Sequence, residues 1–209
     1  FRTLKVKGGA DRAADLARVA AIRAAAPAAA LRLDANEAWH PDWSLEHVRA
    51  LSRFGLDYIE QPLPAACGIA ALAAFRRASP VRVALDESAT DPESLEAILS
   101  AGAADVVILK TQRAGGPDRA SEMIRRAAAA GVQVTVTVSL ESAIGTAVAL
   151  HVAALLPAPL PECGLAMGRF LAEDLGPMPA IERAAMAVPP GPGLGLSPAP
   201  GVLERLRGG

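Results

Sequence analysis

A closed (β/α) barrel of the TIM type is the fold this sequence predicts, and three observations predict it. Short β-like apolar runs alternate with alanine-rich helical stretches along nearly the whole chain. The polar ends of those runs recur at Lys7, Asp34, Glu60, Asp86, Lys110 and Ser139, every 24 to 29 residues. Nearly every run ends in an ionisable side chain. Alternation at this spacing means βαβ units and a parallel sheet. An open doubly wound sheet gathers its site at a switch point between two strands. Charges at nearly all strand ends fit a barrel instead, where every strand end opens onto one mouth.

The elements follow in order. Leu4–Lys7 reads as a strand, and the helix over Ala10–Ala26 stops at Pro27. Leu31–Asp34 precedes a helix over Ser44–Phe54, with Gly55 as its C-terminal stop. Asp57–Glu60 precedes Ile69–Ala78, and Val81–Asp86 precedes Pro92–Ala101, which Gly102 ends. Asp105–Lys110 precedes Pro117–Ala130, closed by Gly131, and Val132–Val138 precedes Ala143–Leu156, closed by Pro157. A weak last strand is expected at Leu160–Cys163. That makes seven strands, whereas a barrel of this type takes eight; the remaining one is expected upstream of Phe1. Residues 1–188 are read as the barrel domain and 189–209 as an irregular Pro- and Gly-rich tail.

Composition narrows the function. A net charge of −1 leaves no electrostatic footprint for nucleic acid or an anionic membrane. No apolar run approaches the ~18 residues of a membrane span, and no signal peptide is visible. Cys67 and Cys163 have no disulfide or zinc spacing and read as reduced packing residues of a cytoplasmic protein. Of the 21 basic residues only Lys5, Lys7 and Lys110 are lysines, and each lies in or ends a strand-like run. A GC-rich genome explains why lysine is rare but not where the survivors stand. Lysine can shed its proton near neutral pH in a suitable site and arginine cannot, so these three are candidates for acid–base chemistry.

Three acids end three consecutive strands: Asp34 in LRLDAN, Glu60 in DYIEQP and Asp86 in VALDES. Adjacent strands lie ~4.8 Å apart, so carboxylates at equal depth crowd and repel. A divalent cation resolves the conflict, and Mg²⁺ favours such oxygen donors. Lys5 and Lys7 point to one face of their strand, with Lys5 deeper and Lys7 nearer the mouth. Mutual repulsion and a nearby metal both push such a pair towards general-base behaviour. Lys110 stands across the barrel, which puts a substrate between two lysines. Asn36 reads either as support for the metal or substrate or as a turn residue. Ser139 and Glu141 are candidates for contact with a substrate carboxylate, with helix capping the competing role for Glu141. A metal-free aldolase using Lys110 as a Schiff base leaves the three acids unexplained, and a non-catalytic scaffold is the reading of another class.

The KVK of Lys5–Lys7, the DAN of Asp34–Asn36, the EQP of Glu60–Pro62, the DES of Asp86–Ser88 and the lysine at 110 followed by Gly115-Gly116 resemble, in this order and spacing, the muconate-lactonizing branch of the enolase superfamily. The resemblance covers nearly the whole chain. It implies the superfamily's C-terminal barrel domain, here without its first strand and its N-terminal capping domain. It implies Asp34, Glu60 and Asp86 as Mg²⁺ ligands, Lys7 and Lys110 flanking a small carboxylate substrate, and the capping domain as the partner that closes the mouth. A Lys base with Mg²⁺ is that superfamily's known pattern. Dipeptide epimerases usually carry an Asp-x-Asp after the last strand; PECGLAMG here departs from it. The stretch ECGLAMGRFLAEDL is most similar to the o-succinylbenzoate synthase family of menaquinone biosynthesis, dehydratases, with muconate cycloisomerases and N-succinylamino acid racemases close behind. Assembly as a homo-oligomer stays open.

Overall fold

The structure, a computed structural model, describes residues 1–202 and 204. Six parallel strands stand side by side in chain order: β1 (Thr3–Lys7), β2 (Ala30–Asp34), β3 (Leu56–Glu60), β4 (Val83–Leu85), β5 (Val106–Lys110) and β6 (Gln133–Thr137). Between and after them run α1 (Arg12–Ala25), α2 (Pro41–Ser52), α3 (Ile69–Ala78), α4 (Pro92–Ala101), α5 (Pro117–Ala129) and α6 (Ala143–Ala153). Consecutive order with parallel pairing makes every crossover the same, so the sheet curls in one direction as part of a barrel.

The two faces of the strands explain the sequence pattern. Leu33, Ile59, Val83, Leu85, Val107, Leu109 and Val136 face outwards and pack against helix residues such as Val48, Leu95, Ile98 and Met123 in one large core. The alternate residues Tyr58, Ala84, Val106 and Ile108 form a separate small cluster on the inner face. Buried on both sides, the strands read as near-continuous apolar runs. On the inner face, towards the strand starts, the Arg32 guanidinium donates to the Glu162 carbonyl at 2.7 Å and lies 4.7 Å over the Tyr58 ring. That bond carries β2 to the segment beyond α6 and holds the curl.

The strand expected at Leu160–Cys163 is not formed. Its place is taken by a single parallel bridge between Thr137 and Gly164, in which Gly164 N–H donates to the Val136 carbonyl. Pro159 and Pro161 have no N–H to offer a ladder, which confines pairing to Gly164. The expected strand at Val81–Asp86 shortens to three residues, so Asp86 lies just past its end. A small antiparallel hairpin, β7 (Ile181–Glu182) with β8 (Ala185–Met186), was not anticipated. Its turn places Arg183 and Ala184 at φ 49° and 65°, with none of the Asn-Gly signals that announce such turns.

Helix ends follow local chemistry. Asp91 caps α4 by accepting the Ser94 N–H at 2.7 Å, while Ser94 Oγ accepts the Asp91 N–H in return. These bonds hold the Asp91 pKa below its ordinary value. Asp91→Ala is expected to cost roughly 1 kcal/mol in denaturant unfolding near neutral pH. The lowered pKa means the native advantage exists above the unfolded carboxylate range and is lost as pH falls through the folded value, so the difference between wild type and variant should shrink in acid.

Candidate active site

Each strand delivers its last inward-facing residue to the same end of the sheet. Lys7 pairs in register with Asp34, and Asp34 with Glu60. Glu60 pairs with Ala84, which places Asp86 two residues further along the chain, just past the end of β4. The three acids are 1%, 0% and 2% exposed, respectively, although each carries a potential charge. Behind two of them the backbone turns through the left-handed region, with φ of 44° at Asn36, 64° at Glu37 and 37° at Gln61. Non-glycine residues held there cost on the order of 1 kcal/mol or more each. Gln61 helps to hold these turns, since its side-chain oxygen accepts the N–H groups of Asp86 and Ser88 and its amide donates to Leu63 O and Ser88 Oγ.

Each of the three acids of the row has a basic partner. Lys5 Nζ bridges Asp34 Oδ2 at 2.8 Å and Glu60 Oε1 at 2.7 Å. Lys7 Nζ reaches the same Asp34 oxygen at 2.6 Å and Asn36 Oδ1 at 2.7 Å. Their side chains are 37% and 64% exposed, which puts Lys5 deeper, as their spacing implied. Lys110 Nζ donates to Asp86 Oδ2, and Arg113 Nη1 to Asp86 Oδ1 at 2.9 Å. Lysines thus stand at both ends of the acid row, on β1 and β5. Arg113 was not among the sequence candidates. Its only signal is its position three residues after Lys110, in a chain where arginine is common.

The charges are unevenly stabilised. Burial opposes the Lys5 ammonium, but Glu60 and Asp34 more than reverse this and hold its pKa well above the ordinary value. Burial likewise opposes the Asp34 carboxylate, and Lys5 with Lys7 outweighs it, so Asp34 is lowered. Glu60 goes the other way. Burial raises it, Lys5 pulls it back, and the charges of Asp34 and Asp86 add to the rise, leaving it at about 7. Glu87, next to Asp86, is also raised by burial and by Asp86, and its Oε1 accepts from the Asn36 amide at 3.2 Å.

Among the described residues no three Asp, Glu, His or Cys side chains already converge as a ligand cluster. Each acid turns instead towards an ammonium or guanidinium, Asp34 and Glu60 sharing that of Lys5. The donor set nevertheless fits a hard divalent cation. It consists of buried carboxylate oxygens, and Glu60 Oε2 is buried without any hydrogen-bond partner.

The remaining candidates are placed as follows. Asn36 adopts the turn conformation, and its side-chain oxygen accepts from Lys7 Nζ. Ser139 is exposed beyond the end of β6. Glu141 is 6% exposed, and burial raises its pKa. It does not cap α6. Ser142 Oγ does, accepting the Gly145 N–H, while the Asp174 carboxylate accepts the Ala143 N–H. Both cysteines are free, and no helix among the described residues is long and apolar enough to cross a membrane.

Residues 1–202 match the family described as Enolase C-terminal domain-like. The o-succinylbenzoate synthase of Thermobifida fusca is 40% identical over 177 residues, covering 83% of this chain and 54% of that protein. The muconate cycloisomerase of Pseudomonas fluorescens superposes with a TM-score of 0.89 at 33% identity, over 99% of this chain and 57% of the other. The N-succinyl Arg/Lys racemase of Bacillus cereus superposes with a TM-score of 0.87 at 25% identity, over 99% of this chain and 56% of the other. The chain therefore spans little more than half the length of these relatives.

Proposed function

The chain belongs to the Enolase C-terminal domain-like family, and from that premise we propose that it is the catalytic barrel of a Mg²⁺-dependent dehydratase acting on a small β-hydroxy carboxylate, with o-succinylbenzoate synthesis as its reaction. The observation that carries this reading is the row of three buried acids bracketed by Lys7 and Lys110. The likeness to the Thermobifida fusca protein supports the choice of reaction.

Asp34, Glu60 and Asp86 would hold the Mg²⁺. When bound, such an ion neutralises negative charge that develops on a substrate carboxylate. The protein's own share begins with Lys7, which takes the proton from the carbon next to that carboxylate. The C–H electron pair forms the new C=C bond as the neighbouring C–O bond breaks, and the hydroxide leaves with the proton from Lys7 as water. One lysine suffices for a syn elimination. Lys110 stays charged and favours the negative charge in the transition state. Asn36 orients Lys7 through its 2.7 Å hydrogen bond. A capping domain closing over the mouth excludes water.

Racemisation of an N-succinyl amino acid is the second reading, favoured by the presence of a lysine at each end of the acid row. The full-length protein with Mg²⁺ separates the two. Loss of water from the β-hydroxy substrate, with no inversion of N-succinyl amino acids, is the expected result. Inversion without dehydration would install the racemase, and inactivity on both would overturn the two readings alike.

A further inference from the structure

The acid row does not explain Asp15. This aspartate lies in the first turn of α1, is 1% exposed and makes no hydrogen bond to the three ligand candidates. Both of its oxygens accept the Gly9 N–H, at 3.1 and 3.2 Å. Arg18 Nη1 donates to Asp15 Oδ1 at 2.9 Å and to the carbonyl of Lys7 itself at 2.8 Å. His47 Nε2, on α2, stands 3.4 Å from Asp15 Oδ2. The loop packs so closely on this carboxylate that a Cβ at Gly8 would stand 3.1 Å from Asp15 Oδ2 and 3.4 Å from the Asp34 carbonyl.

The unit reaches a second loop as well. The His47 ring, fully buried, meets Trp39 edge-on with centroids 4.7 Å apart. Trp39 ends the turn that begins at Asp34 and carries Asn36, and its backbone N–H donates to the Pro62 carbonyl. His47 Nδ1 is buried without a partner, which leaves Nε2 as the nitrogen that bears a proton towards Asp15. Burial holds the ring below its ordinary pKa, in keeping with a neutral donor. One buried carboxylate thus ties the backbone on either side of Gly8 to the loop behind Asp34.

We propose that Asp15, with Arg18 and His47, is a positioning unit that fixes the Lys7 strand end against the Asp34–Trp39 loop and so sets the rate of the step assigned to Lys7. The inference rests on Lys7 being the base. Lys7 has a long, largely exposed side chain, and its reach is only as well defined as its Cα. A misplacement near 1 Å can cost about a hundredfold in rate.

The test uses the full-length protein with Mg²⁺ and four variants. In Arg18→Ala, kcat is expected to fall about a hundredfold with KM changed by less than about threefold, the pattern of lost transition-state positioning. Arg18 is half exposed, so free guanidinium at sub-denaturing concentration is expected to restore roughly tenfold of that loss. Asp15→Asn should show the same split; if it fails to fold, Arg18→Ala carries the test. Arg76→Ala breaks an ion pair with Asp105 at the opposite end of the strands and is expected to lower stability without moving kcat. Unchanged kcat in Arg18→Ala, or a fall that guanidinium does not relieve, would overturn the proposal. Lys7→Arg distinguishes the levels: if it stays active, the reading of Lys7 as base fails, whereas an inactive Lys7→Arg beside a fully active Arg18→Ala overturns the positioning unit alone.

Discussion

Mg²⁺ binding to the full-length protein, followed by titration calorimetry, is expected to weaken about tenfold for each pH unit below about 7 and to level off above it. The cause is Glu60. Burial and the neighbouring Asp34 and Asp86 charges place its pKa at about 7, so below that pH a proton must leave before the carboxylate can serve as a ligand. Asp34, lowered by Lys5 and Lys7, is already ionised throughout this range and adds no such dependence. Glu60→Gln should bind Mg²⁺ far more weakly and lose the pH dependence together with the proton. An affinity that is flat from pH 5.5 to 8 in the wild type would remove Glu60 from the site.

The same group governs the metal-free protein in the opposite sense. Glu60 rises from an ordinary 4.5 to about 7 on folding, so the folded state binds the extra proton between those values. Native stability from this group is therefore full below about 4.5 and declines as pH rises towards 7. Asp34 contributes in the other window, with stability lost only in stronger acid as its lowered pKa is passed. Saturating Mg²⁺ adds stability by mass action and should remove most of the decline.

How much of this was legible in the sequence depends on how local the signal is. Alternating apolar runs and Ala-rich helices announced the six strands of the parallel sheet and the six α-helices, because a strand buried on both faces and a helix with one apolar face leave separate patterns. The acids were legible for the same reason: Asp34, Glu60 and Asp86 each stand where a continuous apolar run stops. The Leu160–Cys163 strand failed because the apolar reading took no account of donors that Pro159 and Pro161 lack. Arg113 and Arg32 were invisible because arginine is everywhere in this chain, and only the fold shows which guanidinium meets a buried carbonyl or carboxylate. Asp15 was hidden by an ordinary role, since an acid in the first turn of a helix is expected from the helix dipole alone.

The lysine pair shows where sequence logic must be revised. Two lysines two residues apart suggested that the deeper ammonium acts on the outer one by repulsion. In the structure Lys5 is compensated by two carboxylates and pinned as a cation. Lys7 holds one carboxylate oxygen, which it shares with Lys5, and faces the mouth. The division of labour in the proposed reaction therefore rests on place: Lys5 neutralises the row from within, and Lys7, the more exposed of the two, is the one left to meet a substrate.

Replacing Lys7 by arginine is expected to abolish the reaction, by about a thousandfold or more. Arginine keeps the charge and much of the reach but cannot act as a base, so any loss reports proton transfer rather than electrostatics. Lys110→Arg should behave differently. Lys110 shares Asp86 with Arg113 and is only 18% exposed, the setting of a fixed charge. Its task in a syn elimination is to stand as a cation beside developing negative charge, and arginine can do this in part. A trace of dehydration should therefore survive in Lys110→Arg. Exchange of the substrate's α-proton in D₂O, followed by NMR, reads the two faces separately from turnover. Exchange should vanish in Lys7→Arg and persist in Lys110→Arg if the protein is a dehydratase. In a racemase each lysine serves one face, and each variant should lose exchange from one enantiomer only. Exchange kept in Lys7→Arg and lost in Lys110→Arg would reverse the assignment, making the β5 lysine the base and the β1 lysine its electrostatic partner.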